Sequence, residues 1–151
     1  MLRHTLATLG YRAAKVLRDA PADFQAYQPV EPGRTAGQVL AHMCDLMDWA
    51  LSIVQGKQAW NDSQPQAWDA DVRRFFDALA RLDASLAGPL GSAAPAERLF
   101  QGPIADALTH VGQLAMMRRL AGAPIRGENY FKADIAAGRA GLDQPSPKRE
   151  F

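Results

Sequence analysis

Asp106 and His110 lie four residues apart in GPIADALTHVGQLAMMRRLAG, residues 102–122. In a helix that spacing stacks a carboxylate and an imidazole one turn apart on one face. Such a pair can share a divalent metal ion. A further group of this kind is His42, in TAGQVLAHMCDLMDWALSIVQ, residues 35–55. At about 100° per residue, His42 falls between Trp49 on one side and Leu46 and Ile53 on the other, toward the core side of its helix. His110 is neighboured by Ala107, Leu114, Met117 and Ala121 and faces the same way. Imidazoles and a carboxylate turned inward need polar partners, because unpaired they raise the free energy of the fold. Two readings supply those partners. In one, His42, Asp106 and His110 hold one metal. Two imidazoles and one carboxylate suit zinc, nickel, iron or manganese, and three protein ligands leave positions open for water or substrate, as catalytic sites do. In the other, Asp106 is a first-turn acid favoured by the helix dipole, His110 donates to a backbone carbonyl and His42 pairs with Asp45. The third histidine, His4, has no chemical partner one turn away and reads as an ordinary surface residue.

Four helices have to position these groups. The first is expected over residues 2–19, with Leu2, Leu6, Leu9, Ala13, Val16 and Leu17 as its apolar stripe and Pro21 as its stop. Residues 20–34 are a 15-residue connection broken by Pro21, Pro29, Pro32 and Gly33 and pinned by Phe24 and Tyr27. That length favours a functional role over a simple turn. The second helix, 35–55, opens on the capping-box pair Thr35 and Gln38 and ends at Gly56. Cys44 points nearly opposite to His42 on it and leaves the ligand set. The third, 66–87, carries Trp68, Val72, Phe75 or Phe76, Leu79, Leu82 and Leu86, and closes at Gly88 and Pro89. Residues 88–101 read as loop. The fourth runs from Gly102 as N-cap and Pro103 as first residue to Gly122, with Pro124 barring continuation. A short helix is expected over 129–137, ended by Gly138, and then an extended, partly ordered tail. No strand or repeat is evident. The pattern predicts an all-α fold, a four-helix bundle of residues 2–122 in a single domain 1–151, with a short extra C-terminal helix and an extended tail in 123–151.

Bulk properties narrow the function. A formal net charge of +1 argues against binding bulk nucleic acid or an anionic membrane surface. The single cysteine excludes an intrachain disulfide and a multi-cysteine metal site, and suits a reducing compartment. No apolar run approaches the roughly 18 residues of a membrane span, and the N-terminal stretch does not read as a signal peptide. A cytoplasmic location is the expectation.

The segments carrying the candidate ligands bear a further resemblance. TAGQVLAHMCDLMDWA, residues 35–50, looks like the second helix of the DinB/YfiT-like superfamily, where a histidine precedes a leucine-rich, often tryptophan-containing turn. ADALTHVGQLAMMRRLAG, residues 105–122, is similar to that family's last bundle helix, whose pattern is H-x-x-x-H, then x-G-Q, then an arginine, a leucine and a glycine. His110, Gly112, Gln113, Arg118 or Arg119, Leu120 and Gly122 match; Asp106 stands where the family has its first histidine. The resemblance spans residues 2–122 and implies a divalent metal site inside a four-helix bundle, here His42, Asp106 and His110. Characterised members include thiol-dependent transferases and a maleylpyruvate isomerase that use mycothiol or bacillithiol, and others are classed as metal-dependent hydrolases. The resemblance thus implies a metal-activated thiol or water as nucleophile, a small-molecule or low-molecular-weight thiol substrate, and a homodimer. No catalytic residue beyond the metal ligands is singled out. The replacement at Asp106 also supports a different class of function: a non-catalytic, stress-related helical binding or scaffold protein with a degenerate or empty site.

Several neighbours carry smaller expectations. Gly112 permits close approach of a helix or of substrate. Gln113 either fixes a helix end or orients a metal-bound water. Glu128 and Tyr130 read as an exposed cap rather than a cover for the site. Asp45 is either a hydrogen-bond acceptor for His42 or solvated. Trp49, Trp60 and Trp68 read as packing or pocket walls, and Met116 and Met117 as core.

Overall fold

The computed structural model describes residues 1–89 and 95–151. Its helices are α1 (Leu2–Leu17), α2 (Ala36–Val54), α3 (Trp68–Ser85), α4 (Ala96–Leu99) and α5 (Ala105–Leu120). Among the described residues there is no strand, only an isolated antiparallel bridge between Glu128 and Glu150. The chain is all-α. Each long helix packs on two others: α1 on α3 and α5, and α2 on α3 and α5. The ring closes over one core, into which Leu6 and Leu9 of α1, Leu40, Met43 and Met47 of α2, Phe75, Leu79 and Leu82 of α3, and Leu114 of α5 are fully buried. Each such side chain contributes about 1.5–3 kcal/mol by leaving water. No helix among the described residues is long and apolar enough to cross a membrane.

Local chemistry sets most helix ends. Thr35 Oγ1 accepts from the Gln38 N–H (3.2 Å) while Gln38 Oε1 accepts from the Thr35 N–H (2.8 Å), so the expected capping box opens α2. At the far end of α5, Gly122 takes φ +80. There the Gly122 N–H donates to the Arg119 carbonyl (3.2 Å) and the Ala123 N–H to that of Arg118 (2.9 Å), a Schellman closure. Phe24 is buried and packs on Tyr27 (6.3 Å) and Trp68 (5.3 Å), pinning the connection between α1 and α2.

Three expectations need correction. Gly102 does not cap a fresh helix. The chain is already helical in α4, inside the expected loop 88–101, of which residues 90–94 lie outside the described residues. It reaches α5 through a wide π-type turn, Phe100–Ile104, with Gly102 kinked at φ −89, ψ −105. Pro103 has no N–H to continue the ladder, and glycine absorbs the break. The expected helix over 129–137 is a single 3₁₀ turn, Tyr130–Lys132. Phe131 is 97% exposed, so the segment has no apolar face to bury, and a helix that short is marginal without one.

The third correction concerns the tail and Glu128. Glu128 is buried, accepting from Tyr11 Oη (2.7 Å) and Lys15 Nζ (3.0 Å). Tyr130 packs edge-on against Tyr11 (6.2 Å) with the Arg12 guanidinium over its ring (4.4 Å). Lys15 also binds Glu150 (2.7 Å), and the Phe151 N–H donates to the Gly127 carbonyl (3.0 Å). A Cβ at Gly127 would stand 2.6 Å from the exposed Phe151 ring, so a side chain there would push that ring aside. The tail is a latch on α1.

This latch has a pH signature. Burial alone would lower the Lys15 pKa, but hydrogen bonds to Glu150 and Glu128 carry it above the ordinary lysine value. The hydrogen bond from Lys15 holds Glu150 below the ordinary carboxylate value. A raised lysine contributes stability that is present below its unfolded pKa and lost as pH rises through the folded one. A depressed carboxylate contributes stability present above its unfolded pKa and lost as pH falls through the folded one. Glu150→Gln is therefore expected to flatten the stability profile at both limbs, below about pH 4 and above about pH 10. Denaturation midpoints across that range check it; unchanged limbs would refute it.

Candidate metal centre

His42 projects from the middle of α2, Asp106 and His110 from the first two turns of α5. Packing of α5 on α2 brings the three together. Asp106 Oδ2 stands 3.4 Å from His42 Nε2, and Asp106 Oδ1 stands 3.4 Å from His110 Nε2. The two imidazoles lie 4.9 Å apart, nearly perpendicular at 87°. One ligand atom from each residue falls within 4.8 Å of the other two. A separation of 3.4 Å is long for an N–H···O bond, which spans about 2.7–3.2 Å. The two histidines approach different oxygens of the one carboxylate, which leaves room for an ion among the three side chains. The group could hold a metal ion.

The hydrogen-bond network prepares the histidines for that role. His110 Nδ1 lies 2.7 Å from Gln113 Oε1. With Nδ1 donating to that carbonyl oxygen, the neutral ring would carry its lone pair on Nε2, the nitrogen that faces Asp106. Gln113 is thus the partner that fixes ring and tautomer, as partners of metal-bound histidines do. Burial lowers the His42 pKa, helped by the Arg34 charge and by His110; Asp106 opposes this but does not prevail. His42 is accordingly neutral at neutral pH. Trp60 meets His42 edge-on (5.6 Å) and Trp49 meets Trp60 (5.8 Å), so these two form a wall, while Trp68 packs on Phe24.

Other candidates fall elsewhere. Asp45 is neither solvated nor paired with His42. It is buried and accepts from the Ser63 N–H and hydroxyl (both 2.8 Å) and from Arg74. Cys44 is fully buried, its thiol 3.3 Å from the Asp71 carbonyl, and burial pushes its pKa well above the usual range. Such a thiol is not a nucleophile. His4 is exposed, and Glu128 and Tyr130 are engaged by α1. Met117 is buried, but Met116 is exposed.

Two cavities flank the pair of histidines. One, about 200 Å³, is lined by Arg34, Gln38, His42 and Ser63 among others. The second, about 420 Å³ and mostly apolar, is lined by Val30, Arg34, His110, Gln113, Met116 and Leu120 among others. Arg34 borders both and is the site residue that sequence reasoning missed. Its only signal was its place at the end of the overlong connection, one residue before the α2 cap.

Gly112 has no close neighbour: a Cβ there would meet nothing within 4 Å. Helix packing does not need this glycine. Gly112→Ala is expected to stabilise α5 by about 0.5–1 kcal/mol, raising Tm by roughly 1–4 °C. Thermal melts check this, and a fall in Tm would contradict it.

Searches against family models, characterised proteins and solved structures return no match to this chain.

Proposed function

We propose that this protein is a divalent-metal-dependent enzyme built as a DinB/YfiT-like four-helix bundle, working as a thiol transferase or hydrolase. The observation that carries the reading is the pairing at His110. With Gln113 holding the proton on Nδ1, the Nε2 lone pair faces a carboxylate oxygen 3.4 Å away. In that tautomer a cation bound between Nε2 and the carboxylate would satisfy both groups. His42 and His110 would ligate through Nε2 and Asp106 through its carboxylate. Bound there, the ion lowers the pKa of a thiol or water reaching its open side. Asp106 in place of a third imidazole brings the net charge of a divalent centre to +1, which weakens its Lewis acidity and favours iron, manganese or nickel alongside zinc. The Trp49–Trp60 wall shields His42 from bulk water.

One observation favours a second reading. The Asp106 side chain is 46% exposed, and a carboxylate that wet persists without an ion. That would suit a non-catalytic helical binding or scaffold protein. Elemental analysis of protein purified without a histidine tag tests both, followed by assay of zinc-, manganese-, nickel- and iron-loaded protein with a thiol plus an electrophile and with simple esters. Stoichiometric metal with metal-dependent turnover supports the enzyme. Metal-free protein that takes up no ion supports the scaffold.

A further inference from the structure

We propose that the centre receives an amphipathic carboxylate, its anionic head at Arg34 and its apolar body in the groove formed by Val30, Met116, Met117 and Leu120. The role of this ligand as substrate rests on the metal reading above; its binding does not.

Arg34 is exposed and joins none of the ion pairs among the described residues. Arg3, Arg74, Arg81, Arg126 and Arg139 have carboxylate partners; of the arginines that do not, Arg34 is the one that borders both cavities beside the histidines. A guanidinium without one, at the rim of two cavities, is a ready fork for a planar carboxylate. The larger cavity supplies the second half of the argument. Val30, Met116 and Leu120 are more than half exposed, a clustering of large apolar side chains that a folded monomer usually hides. Its volume of about 420 Å³ fits a small ligand. His110 and Gln113 also line it, so a chain lying in the groove runs from the apolar rim to the candidate centre. No acid lines this groove; Asp62 borders only the smaller cavity. The charge pattern selects an anion, and the apolar surface selects one with a hydrocarbon body.

Calorimetric titration of acetate, hexanoate, octanoate and 1-octanol into metal-stripped and zinc-loaded protein tests this. Affinity is expected to rise up to about fourfold per methylene from hexanoate to octanoate. Arg34→Gln should weaken octanoate about tenfold and leave 1-octanol unchanged, while Leu120→Glu should weaken both. Arg34 and Leu120 are exposed, so both variants should fold, and circular dichroism checks that they do. Octanoate binding no tighter than acetate, or indifferent to Arg34→Gln, would overturn the proposal. So would sedimentation showing a dimer that Leu120→Glu dissociates, because a second copy would then own the groove. Arg34-dependent octanoate binding by protein that takes up no metal supports this site and refutes the metal reading. Bound metal without octanoate binding does the reverse.

Discussion

His110→Ala is expected to abolish stoichiometric binding of divalent metal, and with it the rise in Tm that the ion gives the folded protein. An ion that binds only the folded state stabilises it by about 2.7 kcal/mol at a free concentration one hundred times Kd. For a chain of this length that is roughly 5–10 °C in Tm. His42→Ala should remove the same increment, because two remaining ligands do not close a site. Gln113→Ala touches no ligand atom, yet it frees the His110 tautomer and should weaken metal binding by about 10–100-fold. Asp106→His would make a three-imidazole set and should tighten zinc. Because burial holds the His42 pKa below its ordinary value, this imidazole keeps its ability to ligate to lower pH than a free one would. Differential scanning fluorimetry with and without zinc reads all of these. A wild-type melt indifferent to zinc, nickel, manganese and iron would sink the metal centre.

The second large effect is structural. Arg118→Ala is expected to destabilise the protein by about 1–3 kcal/mol, while Arg119→Ala changes little. Arg118 is buried, and its guanidinium is spent wholly on carbonyls. Nη1 donates to Val16 (2.9 Å) and Arg18 (2.7 Å), Nη2 to Asp19 (3.0 Å) and Nε to Ala123 (3.0 Å). The first three lie at the C-terminal end of α1, where carbonyls lack helical partners and the dipole is negative. Arg118 thus ties the end of α5 to the end of α1. A lysine at this position would carry the charge but lack the fork, so Arg118→Lys should recover only part of the loss. Arg119 is exposed and serves as the control. Urea denaturation measures both, and a loss under about 1 kcal/mol for Arg118→Ala would show the contacts to be incidental.

The helices were legible because their signals are local. Period-3.6 stripes, the Thr35–Gln38 box and the Gly122–Pro124 stop depend on residues within a turn or two of one another. The C-terminal latch was not legible, because Glu128 looks like any exposed acid until Tyr11 and Lys15, more than a hundred residues earlier, are placed beside it. Asp45 shows the same limit. On a helical wheel it flanks His42, but Arg74 on α3 and Ser63 in the connection claim it. The kink at Gly102 was half legible: glycine and proline announced a break, but whether helix lay before it depended on Leu99 reaching the core.

By itself the sequence determined the all-α class, the long helices and the stacking of Asp106 over His110, since a spacing of four residues on a helix leaves little freedom. Only the tertiary structure decided that His42 joins them and that Arg34 rims the site. Those meetings depend on how α5 lies against α2 and where the connection folds back, which the packing of the whole core sets and no local pattern encodes.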